Sequence, residues 1–213
     1  MKYPPLIGAI VALVLATVVV QGSFAAEDGG RVASVDRSSL KNVIAPVVVE
    51  KNVYYAIQGG SEQELRSQMC RNGCTWSDGR IYDSVTDWHV TWDYGYSKTS
   101  NACSPDSFKV TVEITYHYPK WVYSEAPPPA LVEKWESYLK KLAVHETGHR
   151  DIALQAAAEL TRSIDAMEPL PTCGEIDRKI REISRMHLKQ LKADSDAYDA
   201  ETRHGATQGV VFP

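Results

Sequence analysis

Positive charge is scarce in this chain, because 23 Lys and Arg residues stand against 27 Asp and Glu residues and leave a formal net charge of −4. A nucleic-acid-binding surface needs a surplus of basic side chains to neutralise phosphates, and this chain has none to offer. The composition therefore argues against a nucleic-acid partner. Internal repeats and low-complexity tracts are also missing, and a length of 213 residues fits one domain.

Long apolar runs are equally few. One follows a positively charged start and covers Leu6–Val20, and small residues come soon after it in Ser23–Ala25. This pattern predicts a secretory signal peptide over residues 1–26, cut after Ala25 or after Ala26. An uncleaved membrane anchor is the alternative, but the run is shorter than the roughly 20 residues that a helical span requires. No cysteine follows the cleavage site, which argues against a lipoprotein.

The mature protein is accordingly expected to be periplasmic or secreted. No second apolar stretch is long enough to insert stably in a membrane once the signal peptide is removed. Residues 27–45 show little pattern and are predicted to form a flexible N-terminal tail. Residues 46–213 are predicted to form a single domain.

Cysteine is scarce too, and the four cysteines are Cys70, Cys74, Cys103 and Cys173. An even number in an exported chain predicts disulfide bonds, and three pairings are possible. We favour Cys70–Cys74, which would close a local loop at the end of a short helix, and Cys103–Cys173, which would tie the β part to the helical part. A zinc site built from cysteines is the alternative, but two close cysteines with only distant partners fit it poorly.

The chain contains one short motif that is highly informative about function, His145-Glu146-Thr147-Gly148-His149, which has the pattern HExxH. In an α-helix, residues i and i+4 lie about one turn apart on the same face, so both imidazoles can reach a single zinc ion. Glu146 follows the first histidine directly, where it can act as a general base on a zinc-activated water. This arrangement is typical of zinc metalloproteases.

The surrounding sequence predicts a helix with both histidines on its buried face. Apolar residues recur at three- and four-residue spacing around the motif, among them Leu142 and Ile152. Gly148 is costly in a helix interior, by about 1 kcal/mol relative to Ala, which suggests the close approach of another chain segment or of a substrate. The alternative interpretation is a pair of buried, hydrogen-bonded histidines beside a surface glutamate.

Two stretches alternate strictly between apolar and polar residues, and they are Trp88–Tyr94 and Phe108–Tyr118. A period of two predicts an antiparallel sheet with one packed face and one polar face. Val47–Ile57 is also rich in β-forming residues. Ser61, with Glu64 three residues later, predicts the start of a short helix that runs to about Met69.

A long helical pattern follows three consecutive prolines and extends from about Ala130 to Met167. Its length suggests a kink near Gly148. Thr172 and Glu175 have the spacing of a capping box, which predicts the start of a second helix. We therefore predict an α+β fold, in which a small antiparallel sheet packs on a long helical hairpin that carries HExxH.

A catalytic zinc site has three protein ligands and one open position, so a third ligand is expected. His204 is the favoured candidate, because it lies beyond the second helix in a segment free to fold back, beside Gly205. His187 lies on the apolar stripe of the second helix, where a hydrogen-bonded core histidine is the alternative. Asp199 or Glu201 would supply a carboxylate ligand, or would instead orient a ligating histidine.

For four other polar residues the sequence gives weaker predictions about a role in the site. Asp151 is a further candidate for orienting a ligand, with a surface charge as the alternative. His89 and His117 lie on the polar faces of the predicted strands and are not expected to bind metal. Tyr198 is a candidate second donor to the oxyanion of a peptide-bond hydrolysis, with packing as the alternative.

Four segments of the chain stand out as a set: Tyr82–Trp88 with Trp92, Tyr118–Trp121, His145–His149, and Tyr198–Gly205. Together they resemble a family of bacterial proteins described as predicted secreted zinc-dependent proteases, and the resemblance covers the chain from residue 47 onwards. It implies an exported zinc metalloprotease and favours His204 as the third ligand, because His204 closes the last segment.

The predicted function is hydrolysis of peptide bonds in a peptide or protein substrate. Zinc is expected to be held by His145, His149 and His204, with Glu146 as the general base. One alternative is a zinc amidase that acts on cell-wall peptides, which the same chemistry allows. The other is a zinc-stabilised binding or scaffold domain without turnover, against which Glu146 argues, because a structural site needs ligands but no base.

By analogy with zincins, an extended peptide substrate is expected to add as a strand to a sheet edge beside the motif helix. Phe108–Tyr118 and Trp88–Tyr94 are the two candidate edge strands.

Overall fold

The computed structural model describes residues 45–76, 78–123 and 125–212, and the predicted signal peptide and nearly all of the predicted N-terminal tail lie outside them. Within these residues the chain forms five strands, three α-helices and one short 3₁₀ helix (Ala206–Gln208), a mixed content that confirms the α+β class. In chain order the elements are β1 (Val47–Ile57), α1 (Glu62–Asn72), β2 (Cys74–Thr75), β3 (Ile81–Tyr82), β4 (Val85–Lys98), β5 (Cys103–Trp121), α2 (Pro129–Asp165) and α3 (Cys173–Thr202).

The main sheet has three strands in the order β1-β5-β4, within the described residues. β4 and β5 pair antiparallel, as the alternation of apolar and polar residues predicted. Both strands are longer than predicted, because pairing continues towards the connecting turn through less regular sequence, with a register shift between Asp93 and Gly95. β1 pairs with β5 in parallel, so the sheet is mixed rather than wholly antiparallel. The long connection through α1 and β4 is what lets β5 return in the direction of β1.

The position of each strand decides which one can accept a further strand. β5 is central and paired on both sides, so the expectation that Phe108–Tyr118 serves as an edge strand is wrong. β4, which contains Trp88–Tyr94, pairs only with β5 among the described residues. Its outer edge therefore has backbone groups available for a peptide.

Helix α2 runs unbroken through Gly148 and links two apolar clusters. Its C-terminal half packs on the sheet and α3 through side chains such as Leu160. Its N-terminal half packs with α1, the end of β1 and the C-terminal Phe212 through side chains such as Trp135. Each large apolar side chain that is fully buried contributes about 1.5–3 kcal/mol. Between the two halves lie three buried polar side chains of His145–His149, and such groups require partners inside the protein.

Helices α2 and α3 run antiparallel along one another. His149 contacts Ser195 near the end of α3, whereas Ser163 contacts His187 nearer its middle. The end of α3 is therefore brought to the HExxH motif. In the part of the chain that the structure describes, no helix combines the length and the apolar composition that crossing a bilayer requires.

The start of α3 is held by a capping box and a disulfide. Thr172 and Glu175 form the reciprocal pair of hydrogen bonds that the sequence predicted. Cys103, the first residue of β5, is bonded to Cys173, the first residue of α3. The predicted link between the β part and the helical part is therefore confirmed.

Cys70 and Cys74 are both free thiols, so the predicted Cys70–Cys74 bond is wrong. Helix α1 continues past Met69 to Asn72, which places Cys70 in its last turn with its thiol beside the Arg66 guanidinium. Cys74 begins β2 and pairs with Tyr82 across that small hairpin. The two thiols thus belong to separate elements with different partners.

Candidate metal centre

Both histidines of the motif direct their Nε2 atoms towards one point on α3. His145 Nε2 and His149 Nε2 each lie 3.2 Å from Asp199 Oδ1. One donor atom from each of these three residues lies within 4.8 Å of the other two. Donors that share a tetrahedral zinc ion at 2.0–2.1 Å lie about 3.3 Å apart. The spacing of His145, His149 and Asp199 therefore fits a shared metal ion.

The second ring nitrogen of each histidine has its own partner. His145 Nδ1 lies 3.0 Å from Gln208 Oε1, and His149 Nδ1 lies 2.8 Å from Ser195 Oγ. An amide oxygen can only accept a hydrogen bond, so His145 carries a proton on Nδ1, and Nε2 is the ring nitrogen that faces the metal position. The serine oxygen can accept from His149 in the same way. Sequence reasoning missed both partners, because neither Gln208 nor Ser195 belongs to a recognisable motif.

Glu146 is 2 % exposed and lies between the two histidines and β4. The Thr86 hydroxyl donates a hydrogen bond of 2.5 Å to Glu146 Oε2. Burial raises the pKa of Glu146, and the hydrogen bond from Thr86 together with the two neighbouring histidines limits that rise. A carboxylate with a raised pKa beside a metal position is suited to take up a proton. Thr86 is a further site residue that the sequence did not reveal.

Two histidines favour the charged form of Asp199. Burial alone would raise the pKa of Asp199, but hydrogen bonds with His145 and His149 outweigh it and hold that pKa well below its usual range. For His145 the balance is similar, because burial lowers its pKa while Asp199 and Glu146 raise it by more. An ionised carboxylate among imidazoles is a donor set that suits a divalent cation.

His204 lies next to this cluster rather than within it. Its Nδ1 atom is 3.4 Å from Asp199 Oδ1, and its side chain is 48 % exposed. The imidazole lies against the ring of Tyr82, with the ring centroids 4.9 Å apart. The group with mutually close donor atoms contains Asp199, one of the alternatives that the sequence left open, in place of His204. Direct coordination by His204 stays a prediction.

The other candidates from the sequence lie away from the cluster. His187 Nε2 is hydrogen-bonded to Ser163 Oγ at 2.9 Å, which is the core-histidine alternative. Asp151 forms an ion pair with Arg150 at the surface. Glu201 is exposed on α3, and His89 and His117, which were not expected to bind metal, lie on β4 and β5.

Tyr198 packs behind the first histidine instead of facing the open side of the site. Its ring is stacked on His145 with centroids 5.1 Å apart. Its hydroxyl donates to the backbone carbonyl of His145 at 3.2 Å and accepts from Gln208 Nε2 at 2.9 Å. These contacts agree with the packing alternative, and the role as an oxyanion donor stays a prediction. Gly148 has no side chain, and this lets the Tyr198 ring approach the motif helix closely.

A cavity of about 630 Å³ opens in front of the cluster. Ser84–Trp88, at the start of β4, lines one wall, and Lys192 and Asp196 on α3 line another and pair with each other. Trp76 and Ile81 also face the cavity and remain 41 % and 46 % exposed. A cavity of this size, with apolar side chains around a few convergent polar groups, is typical of a ligand-binding site.

Comparison with known proteins gives one family. Residues 52–205 match a family model described as "Bacterial protein of unknown function (DUF922)". The curated proteins give no match to the chain, and neither do the solved structures. The matched range includes the HExxH motif and Asp199, and it ends before Gln208.

Proposed function

The chain belongs to this bacterial family of unknown function, and we propose that it is a zinc-dependent peptidase. In this proposal His145, His149 and Asp199 hold the metal, and Glu146 is the general base. The observation that carries it is the convergence of two imidazole nitrogens and one carboxylate oxygen beside a buried glutamate that is not among them. Two histidines and one carboxylate form a known ligand set of catalytic zinc sites.

The donor set and its surroundings favour zinc. Imidazole and carboxylate donors suit this ion, and because both Nδ1 atoms have their own partners, the Nε2 atoms are the ones that face the metal position. When bound, zinc would supply a Lewis acid that activates water near neutral pH and polarises a peptide carbonyl. His145 and His149 are held on one helix and Asp199 on its neighbour, so the three donors keep their relative positions.

Glu146 performs the proton transfers in the proposed reaction. Its carboxylate takes a proton from the attacking water and returns it to the nitrogen of the leaving amine. The raised pKa that burial gives Glu146 makes the carboxylate a stronger base than an exposed glutamate. Thr86 holds the carboxylate in place from β4, which couples the base to the strand that borders the cavity.

An extended peptide is the substrate form that the cavity favours. The outer edge of β4, which pairs with no other strand in the described part of the chain, can pair with the backbone of a peptide, and Ser84–Trp88 brings that strand to the metal position. Trp76 and Ile81 offer exposed apolar surface for a side chain of the peptide. Both side chains are accessible to a substrate, since each keeps two fifths or more of its surface exposed.

A scaffold without turnover agrees less well with this geometry. Structural zinc sites are closed by four protein ligands. Among the described residues, the group with mutually close donor atoms has three members and borders a cavity. In a site closed by four protein ligands there would be no bound water for Glu146 to act on. Burying its carboxylate would then cost free energy without contributing to catalysis.

We place the proposed reaction outside the cytoplasm. The Cys103–Cys173 disulfide is of a kind that forms and persists in oxidising compartments. The apolar run at residues 6–20, which has the pattern of a signal peptide, also supports export. A periplasmic or secreted peptidase is consistent with both.

The experiment that tests this function is removal and return of the metal. Protein stripped with a chelator should cleave no peptide, and one equivalent of Zn²⁺ should restore cleavage of unfolded protein or of members of a peptide library, followed by mass spectrometry. Mg²⁺ should not restore it, because imidazole donors do not suit that ion. A protein that holds one zinc ion per chain and cleaves nothing across the library would overturn the proposal.

A further inference from the structure

We infer, on the basis of the proposed function, that Gln208 is a positioning residue for the metal ligand His145. The C-terminal segment, residues 205–212, would thereby form part of the metal centre. Gln208 contacts His145 at Nδ1, whereas Asp199 contacts it at Nε2. No metal ligand is needed from this segment itself, because its effect passes through the orientation of His145.

Three hydrogen bonds form a closed ring around this histidine. His145 Nδ1 donates to Gln208 Oε1 at 3.0 Å, Gln208 Nε2 donates to Tyr198 Oη at 2.9 Å, and Tyr198 Oη donates to the His145 carbonyl at 3.2 Å. Gln208 and Tyr198 each accept one of these bonds and donate the next, so the donors and acceptors around the ring are consistent. The ring therefore fixes the side-chain amide orientation of Gln208 and holds a proton on His145 Nδ1. Nε2 is then the ring nitrogen that faces the metal position.

The backbone on one side of Gln208 is held tightly against the imidazole. Gly205 has a φ of +79°, and a Cβ atom there would lie 3.0 Å from His145 Cγ and 2.7 Å from Val210 Cγ2. The Val210 amide donates to the Gly205 carbonyl at 3.0 Å and closes the turn that contains Gln208. A residue larger than glycine would displace either the turn or the ligand.

The other side of Gln208 is fixed to the motif helix. Phe212 is 5 % exposed and packs on two side chains of α2, at centroid distances of 5.5 Å from Trp135 and 5.1 Å from Tyr138. Because His145 lies on the same helix, Gln208 and its partner are held by one rigid element. The packing of Phe212 on α2 therefore helps to hold Gln208 against His145.

Gln208 also lies beyond the end of the range that matches the family, residues 52–205. The motif histidines and Asp199 lie inside that range, so the ligands and the residue that positions one of them come from different parts of the chain. We therefore expect the ligand set alone to bind metal weakly if the contact with Gln208 is lost.

The test compares Gln208→Ala and Gln208→Glu with the natural chain, and Gln190→Ala, an exposed glutamine on α3, is the matched control. Zinc affinity is measured by competition with a chelator, and folding by thermal denaturation. We expect Gln208→Ala to weaken zinc binding about 10- to 100-fold. Gln208→Glu keeps an acceptor for Nδ1–H, and it should restore affinity to within a few-fold of the natural chain. Equal losses in the two variants, or no loss in Gln208→Ala, would overturn the inference.

A second readout needs neither zinc nor a substrate. The ¹H–¹⁵N signal of His145 Nδ1–H in the metal-free protein reports whether this proton is held in a hydrogen bond. The natural chain should show this signal with slow exchange against water, and Gln208→Ala should lose it. A signal that persists unchanged in Gln208→Ala would contradict the positioning role, whereas failure of the natural chain to bind zinc would contradict the proposed function instead. If Gln208→Ala does not fold, Tyr198→Phe replaces it, because it opens the same ring while keeping the stacked aromatic side chain.

Discussion

Tyr198 lies so close to Gly148 that a Cβ atom on the glycine would come within 2.2 Å of the tyrosine Oη and 2.3 Å of its Cζ. The absence of a side chain at Gly148 is therefore what lets the end of α3 approach the motif helix. Asp199 is the next residue along α3, so the same contact brings its carboxylate to His145 and His149.

The first prediction concerns Gly148→Ala. Alanine favours a helix by about 1 kcal/mol over glycine, but here its methyl group would overlap the tyrosine ring, and overpacking of this kind costs about 1–3 kcal/mol. We expect a net loss in the free energy of unfolding, measured in urea, together with weaker zinc binding. Gly174→Ala is the control, since a Cβ there meets nothing closer than 4.0 Å. A Gly148→Ala variant more stable than the natural chain would contradict the packing described here.

The third metal ligand is the subject of the second prediction. Asp199 Oδ1 lies 3.2 Å from both motif Nε2 atoms, whereas His204 is half exposed and contacts the cluster through Asp199. Asp199→Asn should therefore weaken zinc binding by a factor on the order of 100 or more, and His204→Ala by a factor of about 10. Both affinities are measured against the same chelator. The reverse order would restore His204 as the ligand.

Thr86→Val should move the acidic limb of the activity profile to higher pH. The Thr86 hydroxyl donates a hydrogen bond to the Glu146 carboxylate and so favours the charged form. Without this bond the pKa of Glu146, which burial already raises, rises further. The base must be deprotonated to act, so a higher pH is then needed for half-maximal kcat/KM. Thr91→Val, an exposed position on the same strand, should leave the profile unchanged, and an unmoved limb in Thr86→Val would count against Glu146 as the base.

The two pairs of cysteines should behave differently. The Cys103–Cys173 bond joins residues separated by 70 positions, and replacing both with alanine should lower the free energy of unfolding by about 2–4 kcal/mol. Replacing Cys70 and Cys74 together should cost much less, because neither is bonded. Thiol labelling followed by mass spectrometry should find two free thiols per chain. A labelled protein with none would mean that Cys70 and Cys74 are joined after all.

Local sequence patterns predicted the elements that carry the site. The four-residue spacing of His145 and His149 on an apolar helical stripe placed both imidazoles on the inner face of α2, where the structure has them. Strict alternation predicted the antiparallel pairing of β4 and β5. The spacing of Thr172 and Glu175 predicted the start of α3. Each of these signals acts over a few residues, which is why one sequence suffices to detect it.

Contacts between distant segments left no such signal. The parallel pairing of β1 with β5 depends on the path of the whole intervening chain. Thr86, Ser195 and Gln208 meet the motif only after the strands and helices have packed. Asp199 lies in the last turn of α3, and His204 lies two residues beyond its end. Which of the two is nearer to the metal position therefore depends on where the helix stops.

The most direct test of the account is the zinc content and the peptide cleavage of Glu146→Gln, measured on the same preparation. Glu146 is not among the three donors, so the variant should keep one zinc ion per chain while cleavage falls by a factor of about 10² to 10⁴. Glu201→Gln, an exposed position on α3, serves as the control and should retain both properties. Cleavage by Glu146→Gln at the rate of the natural chain, with zinc bound, would contradict the account.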